Sequence, residues 1–488
     1  MYRTRRSRAA RWTAGLVALS SSLIGDLTRA ADQERGAAPQ QALVLQPSLE
    51  LQETYTDNVA LTAHDKVSDL ITRAVLSLEA TLDTGRAEGH LDAKVGYDAY
   101  ARQSARSGWY AAANGAASYV LLPNLLTLKA DASTSDGAIS TFGRSATDRH
   151  GAPNLVQLTT YDVGPELTGH TPDGLDVRAA ARFAQVLYSN ASSGPLPLPR
   201  TDSIVQLTGA VASDATRRLQ LEGSGEYLHD AQDFTSVSDI LSAFFRVGVL
   251  RLIGRVGYDD ITQGQLLHIS APLASAGFEY QPNGSSTITV EAGSRYHRPA
   301  WAANATMELT PHLLATASYV EQVQPDQVGV ARSFFDFAEA AQNLPPPLIR
   351  ASFGVPADVT NATSLCRSAT FRGVYHDEVN TLGVTADWTD REFLTMPGHD
   401  RTLLVDAVFT RRVRPDLTLV LRAEYAHTAE SPTYGPSQEV GGSVQLAYRL
   451  NSRTDVTLNL SRTQNRQLVQ GGKRVTENAL FQTLRRAF

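Results

Sequence analysis

Apolar and polar residues alternate one by one along most of this chain, and that alternation limits the fold more than any other feature. In LTLVLRAEYAH, Leu417, Leu419, Leu421, Ala423 and Tyr425 fall on one side of an extended chain, and Thr418, Val420, Arg422 and Glu424 fall on the other. A period of two means a strand with two different faces. The pattern returns at Leu43, Leu45, Leu49, Leu51 and Tyr55; at Ala74, Leu76, Leu78, Ala80 and Leu82; and at Leu91, Ala93, Val95 and Tyr97. It returns again around Leu126, Val177, Leu219, Ile288 and Val456, while almost no stretch has a helical period. With 42% hydrophobic residues and a slightly negative mean hydropathy, the chain offers no apolar run for a bundle of membrane helices.

The connections between these strands alternate in length. Tight ones with turn chemistry lie at Asp83 to Arg86, Leu122 to Asn124, Thr171 to Gly174, Asp214 to Arg217, Pro282 to Ser285, Thr310 to His312, Arg414 to Asp416 and Asn451 to Arg453. Longer polar loops lie between them, at Thr56 to Lys66, Ser133 to Asn154, Ser189 to Asp202, Asp259 to Ala271 and Thr428 to Ser437. One rim of turns and one rim of loops is the asymmetry of a bacterial outer-membrane barrel. A sandwich or a propeller does not predict that alternation, and blade-length repeats are absent. Tyr55, Tyr97, Tyr227, Tyr258, Tyr296, Tyr319 and Tyr425 fall on the apolar face near the loop ends, where an interfacial girdle belongs.

The fold class that follows is all-β, a transmembrane antiparallel up-and-down barrel. Counting strands between turns gives about 22, with 18 to 20 where Val247 to Arg251 and Phe393 to Pro397 are hard to read. The apolar face meets lipid, and closure spares every strand an unpaired edge in hydrocarbon. The opposite face lines a wet lumen. On it fall Arg73, Glu79, Asp92, Lys94, Arg178, Arg182, Glu222, Arg251, Arg255, Glu291, Arg295, Arg422 and Glu424.

The amino end reads as an address. Five arginines up to Arg11 precede an apolar run around Gly15 to Ile24, and Thr28 to Ala31 offers a small-residue cleavage site, so residues 1–30 read as a secretory signal. Removing them takes away six Arg and one Asp and moves the formal charge from -6 to -11, which disfavours a nucleic-acid partner. Residues 31–41 form a short periplasmic segment and 42–488 the barrel. So short a segment leaves no room for the plug of a TonB-dependent transporter, and a lumen occluder has to come from a loop. The longest loop, 323–367, contains RSFFDFAEAAQNLPPPLIR, in which a helix is expected over Ser333 to Asn343. Its apolar face suits packing at the lumen mouth; the other reading is a flexible external loop. Cys366, the single cysteine, has polar neighbours and reads as a bland loop thiol.

The first strand LELQETYTDNVALT, the following SDLITRAVLSLEA, the central GFEYQPNGSSTITVEAGSRYHRPAW and LLATASYVEQV, and the ending TENALFQTLRRAF resemble the outer-membrane barrel proteins of the PEP-CTERM/exosortase system. The resemblance spans most of the chain after the signal. It implies a place in the bacterial outer membrane and an envelope role, as conduit or scaffold in exopolysaccharide export or in surface sorting. The chain lacks the sorting tail of the cargo, and the family carries over no catalytic residues. Phe488, the last residue, is similar to the terminal aromatic read by the barrel-assembly machinery. The partners implied are membrane lipid and lipopolysaccharide, that machinery, and the exopolysaccharide with its export apparatus.

Two other functions compete, a general diffusion porin and a barrel hydrolase. The second needs a Ser or Thr nucleophile beside a His base. His90 and His297 are candidates, and neither has a partner readable in the sequence. His-Asp recurs at His64, His229, His376 and His399 in segments that read as loops, where divalent cations at a lipopolysaccharide surface are conceivable. A pair of ligands is not a site, and solvated loop chemistry is the preferred reading. Neither cofactor nor metal is expected.

Overall fold

The computed structural model describes residues 43–138, 155–189, 201–214, 218–326, 328–329, 362–430, 435–468 and 472–488. The expected signal, the periplasmic segment and the expected helix at Ser333 to Asn343 lie outside them.

Twenty-two strands follow one another in chain order. The first eleven are β1 (Leu43–Thr56), β2 (Asp69–Asp83), β3 (Ala87–Tyr100), β4 (Gly108–Leu122), β5 (Leu126–Ala138), β6 (Leu155–His170), β7 (Leu175–Ser189), β8 (Asp202–Ser213), β9 (Leu219–Asp230), β10 (Phe234–Val247) and β11 (Leu250–Gln263). The rest are β12 (Leu267–Asn283), β13 (Ser286–Arg295), β14 (Arg298–Thr310), β15 (Leu313–Pro325), β16 (Thr363–His376), β17 (Asn380–Phe393), β18 (His399–Arg414), β19 (Leu417–Glu430), β20 (Ser437–Asn451), β21 (Thr454–Gln467) and β22 (Arg474–Ala487). Each pairs antiparallel with its sequence neighbours, and β1 pairs with β22 from Ser48 opposite Ala487 to Thr56 opposite Ala479. The sheet is therefore a closed barrel. Beyond that last ladder, Thr56 Oγ1 donates to Glu477 Oε1 at 2.6 Å, and Asn478 bonds Asp57 through both its backbone and its side chain.

The two faces are of opposite character. Leu45, Leu49, Leu51, Leu76, Val95, Leu241, Leu252, Val256, Leu421, Val444 and Leu460 are large apolar side chains left open, from Leu421 at 37% to Leu76 at 61% exposure. On the opposite parity several polar residues are buried, among them Ser48, Thr54, Asp98, Ser242, Asp259 and Asn459. A water-soluble protein does not spread bare leucine around its whole girth; a barrel in hydrocarbon has to. Tyr55, Tyr97, Tyr227 and Tyr258 stand on this outer face at the loop ends of their strands. Phe278, Tyr280, Phe371, Tyr375 and Tyr448 form the corresponding belt towards the turn ends.

All connections from even to odd strands have two to five residues, so one rim is uniformly tight. Asp377 shows how such a turn holds. It accepts from the Asn380 side chain and from the Val379 and Asn380 N–H groups, and these bonds keep its carboxyl well below the usual carboxylate range.

The other rim is uneven, and here several expectations need correction. The long loop expected over Asp259 to Ala271 is a three-residue turn, 264–266, and the neighbouring connections 231–233 and 296–297 have three and two residues. The rim is therefore low from β9 to β14. The sequence signal fails there because the inward residues Ile261, Leu267 and Ile269 are apolar and break the alternation. The longest connection is 326–362, since β15 and β16 extend further than expected. Cys366 is consequently a strand residue, opposite Gln322 and Arg391. Tyr296 belongs to the tight turn 296–297, in the left-handed region at φ 55°, and packs inward instead of facing lipid. His376 ends β16 at the turn rim, on the side opposite to the loops.

If Leu421 faces hydrocarbon, Leu421→Arg should cost roughly 2–4 kcal/mol near the midplane, whereas Val420→Arg, pointing to the lumen, should cost little. Denaturant unfolding from lipid vesicles reads both, and equal losses would contradict the assignment of faces.

Candidate functional site

The inner wall is laid out as short ion-paired rows. Arg73 and Asp98 form a two-pronged pair at 2.7 and 2.8 Å, with the guanidinium 4.8 Å above the Tyr110 ring. Tyr110 lies flat across β3 because its neighbour is Gly96, where a Cβ would come within 2.5 Å of the ring. Further round, Arg182 faces Asp162 at 3.7 Å, Arg251 faces Glu279 at 3.5 Å, Arg255 faces Glu291 at 3.0 Å and Arg295 faces Asp259 at 2.8 Å. Phe244, an inward aromatic, lies under Arg251 at 4.0 Å. On the opposite side Arg422 bridges Asp406 at 2.7 Å and Glu424 at 3.7 Å.

The register places all thirteen residues expected in the lumen on the strand face opposite the bare leucines. Glu79 stands opposite Asp92, Lys94 opposite Ser77, Arg178 opposite Thr168 and Glu222 opposite Ser242. Asp92 also meets His90 at 3.0 Å. Cross-strand partners of opposite sign hold extended side chains against the wall. The acidic partners Asp98, Asp162, Asp259, Glu279 and Asp406 were not singled out in the sequence. Their signal is register: each lies on the polar face, and Asp98, Asp162, Glu279 and Asp406 are across from or diagonal to an arginine of the next strand, whereas Arg295 reaches Asp259 from two strands away.

The distinctive feature is at the loop rim. The ladder between β14 and β15 stops at Ala303 opposite Tyr319. The β13–β14 ladder continues to Arg295 opposite Arg298, and the β15–β16 ladder to Pro325 opposite Thr363. Beyond the stop the two sides of the wall no longer lie edge to edge. Val323 and Leu365 sit on the outward face of β15 and β16, yet both are buried in one cluster with the inward-facing Leu158, Val186, Ile204, Leu228, Phe234 and Ile261. Thr363 Oγ1 donates to Gln263 Oε1 at 2.6 Å, and Arg298, inward on β14, pairs with Glu392, outward on β17, at 2.8 Å.

An inward group on one part of a wall meets an outward group on another only if the second part lies inside the first. The loop ends of β15 to β17 are therefore tucked into the lumen behind β11 to β14, and the wall overlaps itself like a scroll. The low rim from β9 to β14 is what leaves room for this. The apolar contacts run from β6 to β16, so the barrel's own strands reach across the mouth at this end.

A buried ion triad fixes the tucked segment from its lumen side. Arg391 of β17 has a side chain 5% exposed; it pairs with Asp326 just past β15 at 3.0 Å and, still closer, with Asp400 of β18. A guanidinium so far from water is tolerated because carboxylates flank it on both sides. Outside the overlap, Asp390 is shared by Arg367, His399 and Arg401. Both members of the His399-Asp400 pair are thus absorbed here, Asp400 by Arg391 and His399 by Asp390. Asp230 is likewise used locally, accepting from the Gln232 and Phe234 N–H groups. His297 meets the backbone oxygen of Ser270, which is no nucleophile. Phe488 is exposed at the turn rim, with its N–H donating to Pro47 at 3.0 Å and Arg486 stacked on its ring.

No family model matches the chain, and no curated protein matches it. Solved structures similar to it include the siderophore receptor PirA from Acinetobacter baumannii, at 8% identity and TM-score 0.49, covering 91% of this chain and 80% of that one. The FrpB iron transporter from Neisseria meningitidis has 11% identity and TM-score 0.46, covering 91% and 82%. OccAB4 of Acinetobacter baumannii has 11% identity and TM-score 0.37, covering 92% and 100%. At these values the likenesses carry no argument about function.

Arg391→Ala would strand Asp326 and Asp400 together, a loss of about 3–5 kcal/mol for a broken buried pair. Because the triad holds only the tucked segment, the barrel should stay inserted while single-channel conductance in planar bilayers rises. Unchanged conductance from an inserted Arg391→Ala variant would mean the triad does not hold the mouth shut.

Proposed function

We propose that this chain is a bacterial outer-membrane conduit that passes a hydrophilic polymer, in the role of exopolysaccharide export or PEP-CTERM-type surface sorting. The turn rim then lies in the periplasm and the loop rim outside. The observation that carries the reading is a polar, ion-paired lumen whose outer mouth is closed by the barrel's own strands. A general diffusion porin works by standing open. A conduit for a long polymer must stay shut when idle, because a 22-stranded barrel encloses a space wide enough to be a serious leak. The wall suits a sugar chain: arginines already neutralised by carboxylates present hydrogen-bonding edges without strong net charge, and Tyr110 and Phe244 offer flat faces. A passing polymer can exchange such contacts one at a time and is not trapped.

Deleting the gene should lower secreted polysaccharide, and the intact chain should restore it. Normal secretion, combined with slower uptake of small hydrophilic solutes, would favour the porin reading instead.

Phe488 is proposed as the assembly signal, and lipopolysaccharide and the assembly machinery as partners. Removing Phe488 should reduce the heat-modifiable, membrane-inserted fraction by more than Phe488→Tyr does. Equal insertion of all three forms would make it an ordinary strand end.

A further inference from the structure

The overlap closes the mouth but leaves a joint in the wall. If the β14–β15 ladder kept its register, Trp301 would stand opposite Glu321 and Pro299 opposite Val323; instead it ends at Ala303 and Tyr319. Glu321 and Val323 pair with Arg367 and Leu365 on β16. The edge of β14 from Arg298 to Ala302 pairs with β13 and with no other strand among the described residues. A membrane-crossing strand needs about 9–11 residues. Measured from Thr310, that length reaches the level of Trp301, so the free edge lies at the outer boundary of the hydrocarbon. Trp301 is 58% exposed there, as an interfacial aromatic should be. Pro299, which has no N–H, blunts the same edge.

A free edge at that depth is costly unless something polar answers it. Across the joint, the outward face of β17 and β18 supplies Glu392, His399 and Arg401, whose side chains are 34%, 31% and 46% exposed, with Arg298 reaching over to Glu392. The joint is thus held by ion pairs with water or headgroups at hand, and not by backbone bonds. Ion pairs of this kind exchange partners readily, whereas a ladder does not.

We propose that this joint is a lateral portal between the mouth of the lumen and the outer leaflet, and that it takes an amphiphile with a hydroxyl-rich head and hydrocarbon tails, a lipid of that leaflet. The head lies among Arg298, Glu392, His399 and Arg401, whose alternating signs match hydroxyls and not a concentrated charge. The tails remain against Trp301, Ala303 and Leu403 on the lipid side. The portal is a route separate from the axial one; it rests on the outer-membrane reading but not on the polymer.

The test uses the full chain in its membrane, with Cys366→Ser so that introduced thiols are the only ones. The pair Ala303→Cys and Tyr319→Cys should form a disulfide, and the pair Trp301→Cys and Glu321→Cys should not. A photoreactive side chain at Val320, which points to the lumen beside the joint, should capture outer-leaflet lipid, detected by mass spectrometry. One at Val420, on the lumen wall of β19, should capture none. Ready formation of the 301–321 disulfide would show that the ladder is closed, and absence of lipid at 320 would show that nothing passes; either result overturns the portal. Neither affects polysaccharide secretion, so the failure of the conduit reading is seen separately.

Discussion

Every backbone amide of a membrane-crossing strand needs a partner, because hydrocarbon supplies none, and the rest of this structure follows from how that demand is met. The ladder from β22 back to β1 meets it by closing the sheet. Once the sheet is closed, its two faces cannot exchange environments, so alternation along each strand becomes a lipid face and a lumen face. The paired arginines of the inner wall follow in turn. A charged side chain in a narrow wet layer against a low-dielectric wall is held best by an opposite charge on the next strand.

The same demand explains why the mouth is unusual. The β4–β5 ladder stops short of the loop ends at Ala113 and Thr134, and the ladder between β14 and β15 stops at Ala303 and Tyr319. Freed at this second stop, β15 to β17 exchange edge-to-edge bonding for face-to-face packing, and Val323 and Leu365 enter an apolar cluster with residues from six other strands, β6 to β11. The cluster and the Arg391 triad hold this arrangement from both faces of the tucked segment. A plug formed this way needs no separate domain, and it is bonded to the wall it would have to leave.

The fold was legible because it rests on local signals. Period two, turn chemistry at Asp83, Asn124 and Asn451, and the parity of the lumen residues from Arg73 to Glu424 can all be read one strand at a time. The tucked mouth depends on contacts between distant strands and was not. One trace of it exists: Leu158, Val186, Ile204, Leu228, Ile261 and Ile269 are apolar residues on the polar parity near the loop ends of neighbouring strands. Read singly, each weakens a strand assignment, as happened at Asp259 to Ala271. Read together, they mark an inner surface that something must cover. A helix over Ser333 to Asn343 was the covering element expected from the sequence; the described residues show the strands themselves in that place.

The account is tested most directly across the mouth, between β11 and β16, which stand five places apart around the barrel. With Cys366→Ser, Gln263→Cys and Thr363→Cys in the membrane-inserted chain, a short bifunctional thiol reagent should link the two positions, since the native side chains are in hydrogen-bond contact. A link seen as a mobility shift on reducing-agent-free gels is the predicted result. No link between 263 and 363, while 303 and 319 still cross-link in the same membranes, would mean that the wall does not fold inward and the lumen is open to the outside.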